Sequence, residues 1–167
     1  MDYKKLVDPE LKNFAVTMPY NKAFIFGDKL SHGLISRFAK ITPKVSKRTL
    51  TIRGHNGLDF HTDVFEPRNV QEKLPALVFI HGGAFSYRAA SYHITLAAVY
   101  AVKAGCRVFF PDYHLLPDHP WPAAWHDCLA LYRYISENAD VLGIDPWKIG
   151  LTGDSAGAFL AASICNQ

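Results

Sequence analysis

Cysteine is scarce and unpatterned in this chain. Cys106, Cys128 and Cys165 are the three in 167 residues, and their spacing fits neither a disulfide framework nor a CxxC metal site. Small buried thiols are the expectation. An excess of charge of one sign is also lacking. Eighteen Lys+Arg against 15 Asp+Glu leave a net charge of +3, too little to indicate nucleic acid or an acidic lipid surface as a partner. Long hydrophobic runs are missing too. The longest uncharged apolar stretch, 96–102, is far short of the roughly 20 residues a membrane span needs. Residues 1–5 lead into no apolar segment of signal-peptide length. No repeat or low-complexity tract appears. The expectation is a soluble, cytoplasmic protein with no stable membrane anchor, no nucleic-acid partner, and no metal or organic cofactor.

What is present is enough for a packed core, with 49% hydrophobic and 13% aromatic residues, over a length typical of one domain. Residues 1–42 read as a helical segment. Asp8 before Pro9 has the form of an N-cap followed by proline at the first helical position. Leu30, Leu34, Ile35 and Phe38 mark one apolar face at helical spacing. From residue 43 the period changes. Stretches 45–53 and 58–66 are predicted strands joined by Gly54-His55-Asn56-Gly57, whose Asn-Gly pair is a hairpin signal. Wholly apolar 76–80 reads as a strand covered on both faces, Arg107-Val108-Phe109-Phe110 as another strand of the buried type, and 148–152 as a fifth strand. Helices are predicted at 92–103, 122–138 and 156–165. In the second of these, Trp125, Leu129, Tyr132 and Ile135 or Ser136 are the expected inner face. A hairpin followed by alternating strand and helix implies an α/β fold, a mostly parallel sheet with helices on both faces.

Three motifs carry chemistry. Gly153-Asp154-Ser155-Ala156-Gly157 is an instance of G-x-S-x-G, which chance alone supplies in a chain this long roughly one time in twenty. Its context is decisive: it lies between a predicted strand and a predicted helix, as a nucleophile elbow requires. There Ser155 would project from a strained turn, with Gly153 and Gly157 leaving space for neighbouring backbone. The plainer alternative is a helix N-terminus capped by Asp154 or Ser155. The second motif, His81-Gly82-Gly83-Ala84-Phe85, follows the third strand directly. Backbone N–H groups of such a turn can hold a developing oxyanion, joined by the Ala156 N–H. His81 is expected to anchor this loop through hydrogen bonds rather than to act as a base. The third is the proline-stiffened stretch 111–124, whose adjacent Asp118 and His119 are read as structural hydrogen-bonding groups.

Together H-G-G-A-F, D-Y-H-L-L-P-D-H-P-W-P-A-A and G-D-S-A-G resemble the three signatures of the hormone-sensitive-lipase-like α/β-hydrolases, from about residue 43 onward. Residues 1–42 resemble that family's helical cap segment, with 43–167 as the hydrolase core. The resemblance implies a serine carboxylesterase for short- or medium-chain acyl esters. Ser155 would be the nucleophile, Gly82, Gly83, Ala84 and Ala156 would fall on the oxyanion positions, and His81, Gly153, Asp154 and Gly157 would support them. Ala84 departs from the family's third glycine, and a positive φ there would cost roughly 1 kcal/mol or more. His114 stands for the usual arginine and Ala158 for a glycine. The larger departure is that the 12 residues after Ser155 contain no Asp, Glu or His, although this fold places both triad partners after the nucleophile. The chain therefore reads as the first half of such an esterase. Its fifth strand would be an apolar sheet edge, open to a second copy or a complementing chain. Two other readings stay open: a non-catalytic ligand-binding scaffold, as in the gibberellin receptors, and an inactive truncated fragment.

Overall fold

The computed structural model describes residues 8–10, 21, 23–28 and 39–167. The stripe of Leu30, Leu34, Ile35 and Phe38 lies outside the described residues. Within the N-terminal part, Asp8 Oδ1 accepts the Glu10 N–H at 2.9 Å. A helical turn over 23–28 begins after Asn21, whose Oδ1 accepts the Phe24 N–H at 2.9 Å.

Five strands follow: β1 (Val45–Arg53), β2 (Asp59–Pro67), β3 (Leu74–Ile80), β4 (Arg107–Pro111) and β5 (Ile144–Gly153). The helices are α1 (Ser91–Ala104), α2 (Pro122–Glu137) and α3 (Ala156–Cys165). At the predicted hairpin the chain makes a short helical turn, with Asn56 at φ 52° and Gly57 at φ 73°. The Gly54 N–H donates to the Leu58 carbonyl at 2.7 Å. Both residue types tolerate that left-handed conformation. Gly105 ends α1 in the left-handed region, the usual way to close a helix.

The strand order is β1-β2-β4-β3-β5. β1–β2 and β2–β4 are antiparallel, while β4–β3 and β3–β5 are parallel. The sheet is thus mixed, with the parallel half where the motifs lie. Successive side chains alternate between faces, and this divides the core. Val64, Val78, Ile80 and Phe109 pack with Cys128, Leu131 and Ile135 of α2 and with Leu160 and Ile164 of α3. Phe65, Phe79, Val108 and Phe110 pack on the other face against Ile94, Ala97 and Ala101 of α1. Helices therefore cover both faces, as the apolar runs required.

Two details differ from the sequence expectation. The buried face of α2 is Ala124, Cys128, Leu131 and Ile135, whereas Trp125, Leu129 and Tyr132 are only partly covered. Both stripes have helical spacing, and close approach to the sheet favours the one with small side chains. Cys106 and Cys128 are buried, but Cys165, in the last turn of α3, is exposed. No helix among the described residues is long and apolar enough to cross a membrane.

Chain reversal in the strand order fixes where a site can form. The β3–α1–β4 and β4–α2–β5 connections place β4 and β5 on opposite sides of β3. Ligands bind at such a switch point, beyond the carboxyl ends of the strands. That end is held by Asp127 of α2, which is fully buried. Its Oδ1 accepts the His55 N–H at 2.8 Å, and its Oδ2 accepts the His114 N–H and meets His114 Nδ1, each at 2.8 Å. One carboxylate thus joins the β1–β2 turn, the 111–121 loop and α2. Asp127→Ala leaves two half-buried N–H groups without their acceptor and is expected to lower stability by about 2 kcal/mol, measured by urea unfolding.

Candidate active site

The last pairing of β3 with β5 brings Ile80 opposite Gly153, so the two motif loops leave the sheet side by side. Ser155 sits between β5 and α3 at φ 48° and ψ −118°, a conformation disfavoured for an L-residue by about 1–3 kcal/mol. Its side chain makes no cap hydrogen bond to α3. The capping role considered for Ser155 is therefore not what the structure contains, and its hydroxyl faces solvent. Asp154 does not cap α3 with its side chain either, because that carboxylate points across to the neighbouring loop.

The His81–Phe85 loop is held by that carboxylate. Gly82 donates its N–H to Asp154 Oδ1 at 2.9 Å. Gly82 thereby differs from the sequence expectation: its N–H is engaged by Asp154, so it supports the loop and is not an oxyanion donor. Gly83, Ala84 and Phe85 follow at φ 124°, 51° and 57°. Ala84 does adopt the left-handed conformation that its replacement of glycine makes costly. Ser86 and Tyr87 both donate N–H groups to the Gly83 carbonyl at 2.9 Å, closing the turn. Among the described residues the N–H groups of Gly83, Ala84 and Ala156 donate no hydrogen bond.

His81 is buried behind this loop. Its Nδ1 bonds the Gly82 carbonyl at 2.6 Å, and its own carbonyl accepts from the Tyr113 hydroxyl at 2.8 Å. The two rings stack with centroids 4.5 Å apart. Burial pushes the His81 pKa down to about 4, partly opposed by the bond to Gly82. The ring is consequently neutral at pH 7 and donates through Nδ1. Burial also raises the Tyr113 pKa, so the phenol remains a donor.

Sequence reasoning missed two parts of this arrangement. His93, at the third position of α1, lies 3.1 Å from Asp154 Oδ1 through its Nε2. A wall of Phe85, Trp121 and Phe159 also escaped notice; Phe85 meets Trp121 edge-on at 4.7 Å and Phe159 at 6.3 Å. The 81–85 motif flags Phe85, but only folding brings the other two beside it. Ala84, Phe85, Trp121, Ser155, Ala156 and Phe159 together line an open concavity of about 580 Å³. A hydroxyl, backbone N–H groups and an apolar wall thus meet in one place. Asp118 and His119 lie apart from it, in a polar pocket of about 180 Å³ beside Asp112 and His114.

A family model for the α/β-hydrolase fold matches residues 77–167. The chain belongs to the α/β-hydrolase family, in its hormone-sensitive-lipase-like branch. The carboxylesterase NlhH of Mycobacterium tuberculosis is 34% identical over 160 residues, covering 93% of this chain and 50% of NlhH. Esterase LipI of the same organism is 29% identical over 170 residues, 99% of this chain and 53% of LipI. Among solved structures, a bacterial heroin esterase matches with a TM-score of 0.78 at 31% identity, covering 96% of this chain and 52% of that one. A Pyrobaculum calidifontis esterase matches at 0.76 and 30%, with the same coverage. The chain spans about half the length of these α/β-hydrolases.

The buried His81 makes stability pH-dependent. Its pKa is about 4 in the folded protein against an ordinary 6.5, so between those values the unfolded chain binds the extra proton. The stabilisation is complete above pH 6.5 and falls as pH drops toward 4, by about 3 kcal/mol. Urea unfolding across that range is expected to show this loss, and His81→Gln to remove most of the slope.

Proposed function

We propose that this protein is a serine ester hydrolase for short- to medium-chain acyl esters. The observation that carries the proposal is the shared concavity: the uncapped Ser155 hydroxyl lies on its wall beside Ala84 and Ala156. Ser155 Oγ attacks the ester carbonyl carbon as its proton passes to a general base, which returns that proton to the departing alcohol oxygen. The resulting oxyanion is held by the N–H groups of Gly83, Ala84 and Ala156, whose donors are not spent elsewhere among the described residues. Such fixed donors stabilise charge as it develops and need no reorganisation during the reaction. Collapse expels the alcohol, and water then releases the acid from the acyl-serine. Phe85, Trp121 and Phe159 offer apolar surface to the acyl chain.

No imidazole or carboxylate among the described residues hydrogen-bonds the Ser155 hydroxyl. The general base and its orienting acid are assigned to residues outside this chain. Among the described residues β5 pairs with β3 alone, and its other edge is where a complementing segment or second copy would add a strand. We assign residues 1–42 to the family's helical cap segment by their resemblance to it, and the protein to the cytoplasm.

p-Nitrophenyl acetate and butyrate test the nucleophile directly, because their phenolate leaves without needing a general acid. The 167-residue chain is expected to show a burst of p-nitrophenol about tenfold or more above Ser155→Ala. Equal release by both proteins contradicts the proposal and favours a ligand-binding role for the concavity.

A further inference from the structure

We propose that His93 is a positioning residue: through Asp154 it holds the Gly82–Ala84 loop against the Ser155 elbow and so sets the two halves of the oxyanion site relative to each other. The inference rests on the ester-hydrolase reading for its purpose, though not for its geometry. A continuous set of hydrogen bonds runs across three elements. The Ala90 N–H donates to His93 Nδ1 at 3.0 Å, while the His93 N–H returns a bond to the Ala90 carbonyl at 3.0 Å. This reciprocal arrangement is a helix-start motif with imidazole in place of the usual carboxylate. Because Nδ1 accepts, the neutral ring carries its hydrogen on Nε2. That Nε2–H faces both oxygens of Asp154, at 3.1 Å to Oδ1 and 3.3 Å to Oδ2. Asp154 Oδ1 in turn accepts the Gly82 N–H at 2.9 Å.

The asymmetry in exposure explains why the imidazole is required. His93 has 5% of its side chain exposed, and Asp154 has 44%. The carboxylate could turn to water, whereas the ring is wedged among Phe79, His81 and Tyr92, with centroids 6.2, 5.8 and 3.9 Å away. His93 is thus the fixed post and Asp154 the arm that reaches the loop. The backbone carbonyl of Asp154 simultaneously takes the Gly157 N–H at 2.8 Å, so the same residue is tied to the start of α3. Without the His93 donor, Asp154 is free to release Gly82, and the Gly83 and Ala84 N–H groups move relative to Ala156. A displacement near 1 Å in such a constellation is enough to slow a reaction about 10²-fold.

Three variants and one spectroscopic measurement on the full 167-residue chain test this. His93→Leu keeps bulk and removes the donor, His93→Gln restores an N–H near the Nε2 position, and Asp154→Asn removes the charge it serves. Nitrogen NMR of the unaltered chain is expected to find His93 as the Nε2–H tautomer, with that resonance shifted in Asp154→Asn. The Gly82 amide is expected to exchange at least tenfold faster in His93→Leu and within about threefold of normal in His93→Gln. On p-nitrophenyl acetate, His93→Leu is expected to lower kcat at least tenfold with KM within about twofold, and His93→Gln to recover most of it. An Nδ1–H tautomer, or Gly82 exchange unchanged in His93→Leu, overturns the proposal. Loss of kcat that His93→Gln does not restore also overturns it. If the unaltered chain shows no Ser155-dependent release, the hydrolase reading fails instead, and the tautomer and Gly82 exchange still decide the role of His93. A His93→Leu chain that does not fold leaves the tautomer and His93→Gln to decide it.

Discussion

The site depends on a backbone-to-backbone contact that leaves no space for a side chain. A Cβ on Gly153 would stand 2.6 Å from the Ile80 carbonyl oxygen, and one on Gly157 would overlap that same oxygen and lie 2.7 Å from the His81 carbonyl. Real side chains do not approach so closely, so any substituent pushes α3 away from the end of β3. Because the two glycines permit the contact, the parallel neighbours β3 and β5 deliver their loops to one point. The Gly82 bond to Asp154, the concavity and the aromatic wall all follow from that approach.

Strain concentrates where the approach is tightest. Ser155 and Ala84 both adopt positive φ, at 48° and 51°, and both line the same concavity. Neither conformation is locally favoured, so both must be imposed by their surroundings. For Ser155 the imposing structure is β5 on one side and α3 on the other. For Ala84 it is the closed turn around the Gly83 carbonyl, backed by buried His81 and Tyr113. The loops are therefore rigid because the sheet and its two packed faces hold them, and local sequence preference contributes little.

Much of the fold was legible because its signals are local. Residues 76–80 and 108–110 are apolar without alternation, and they became strands buried on both faces. Asn56-Gly57 marked a reversal through its tolerance of positive φ. The start of β5 was not legible, since Asp145-Pro146-Trp147 reads as a turn and only pairing with β3 extends the strand. The inner face of α2 was misread by one position, because bulk was weighed above the close packing that Ala124 and Cys128 allow. At the site, the motif at 153–157 and the glycine loop pointed to Ser155, Ala84 and Ala156, which line one concavity. The engagement of Gly82 was not legible, because its partner Asp154 lies 72 residues away. His93, 61 residues from Asp154, carries no local signature beyond its place at a helix start.

A boronic acid tests most directly whether the two loops form one preorganised site. Boron adds to a serine oxygen, the hydroxyl proton passing to solvent, and becomes a tetrahedral anion resembling the reaction intermediate, so the test requires no leaving group. Titrating phenylboronic acid into the 167-residue chain while following amide NMR signals is predicted to shift Gly83, Ala84 and Ala156 along one saturation curve, and to leave them unmoved in Ser155→Ala. Absence of a shift at these amides, or the same shifts in Ser155→Ala, would contradict the account.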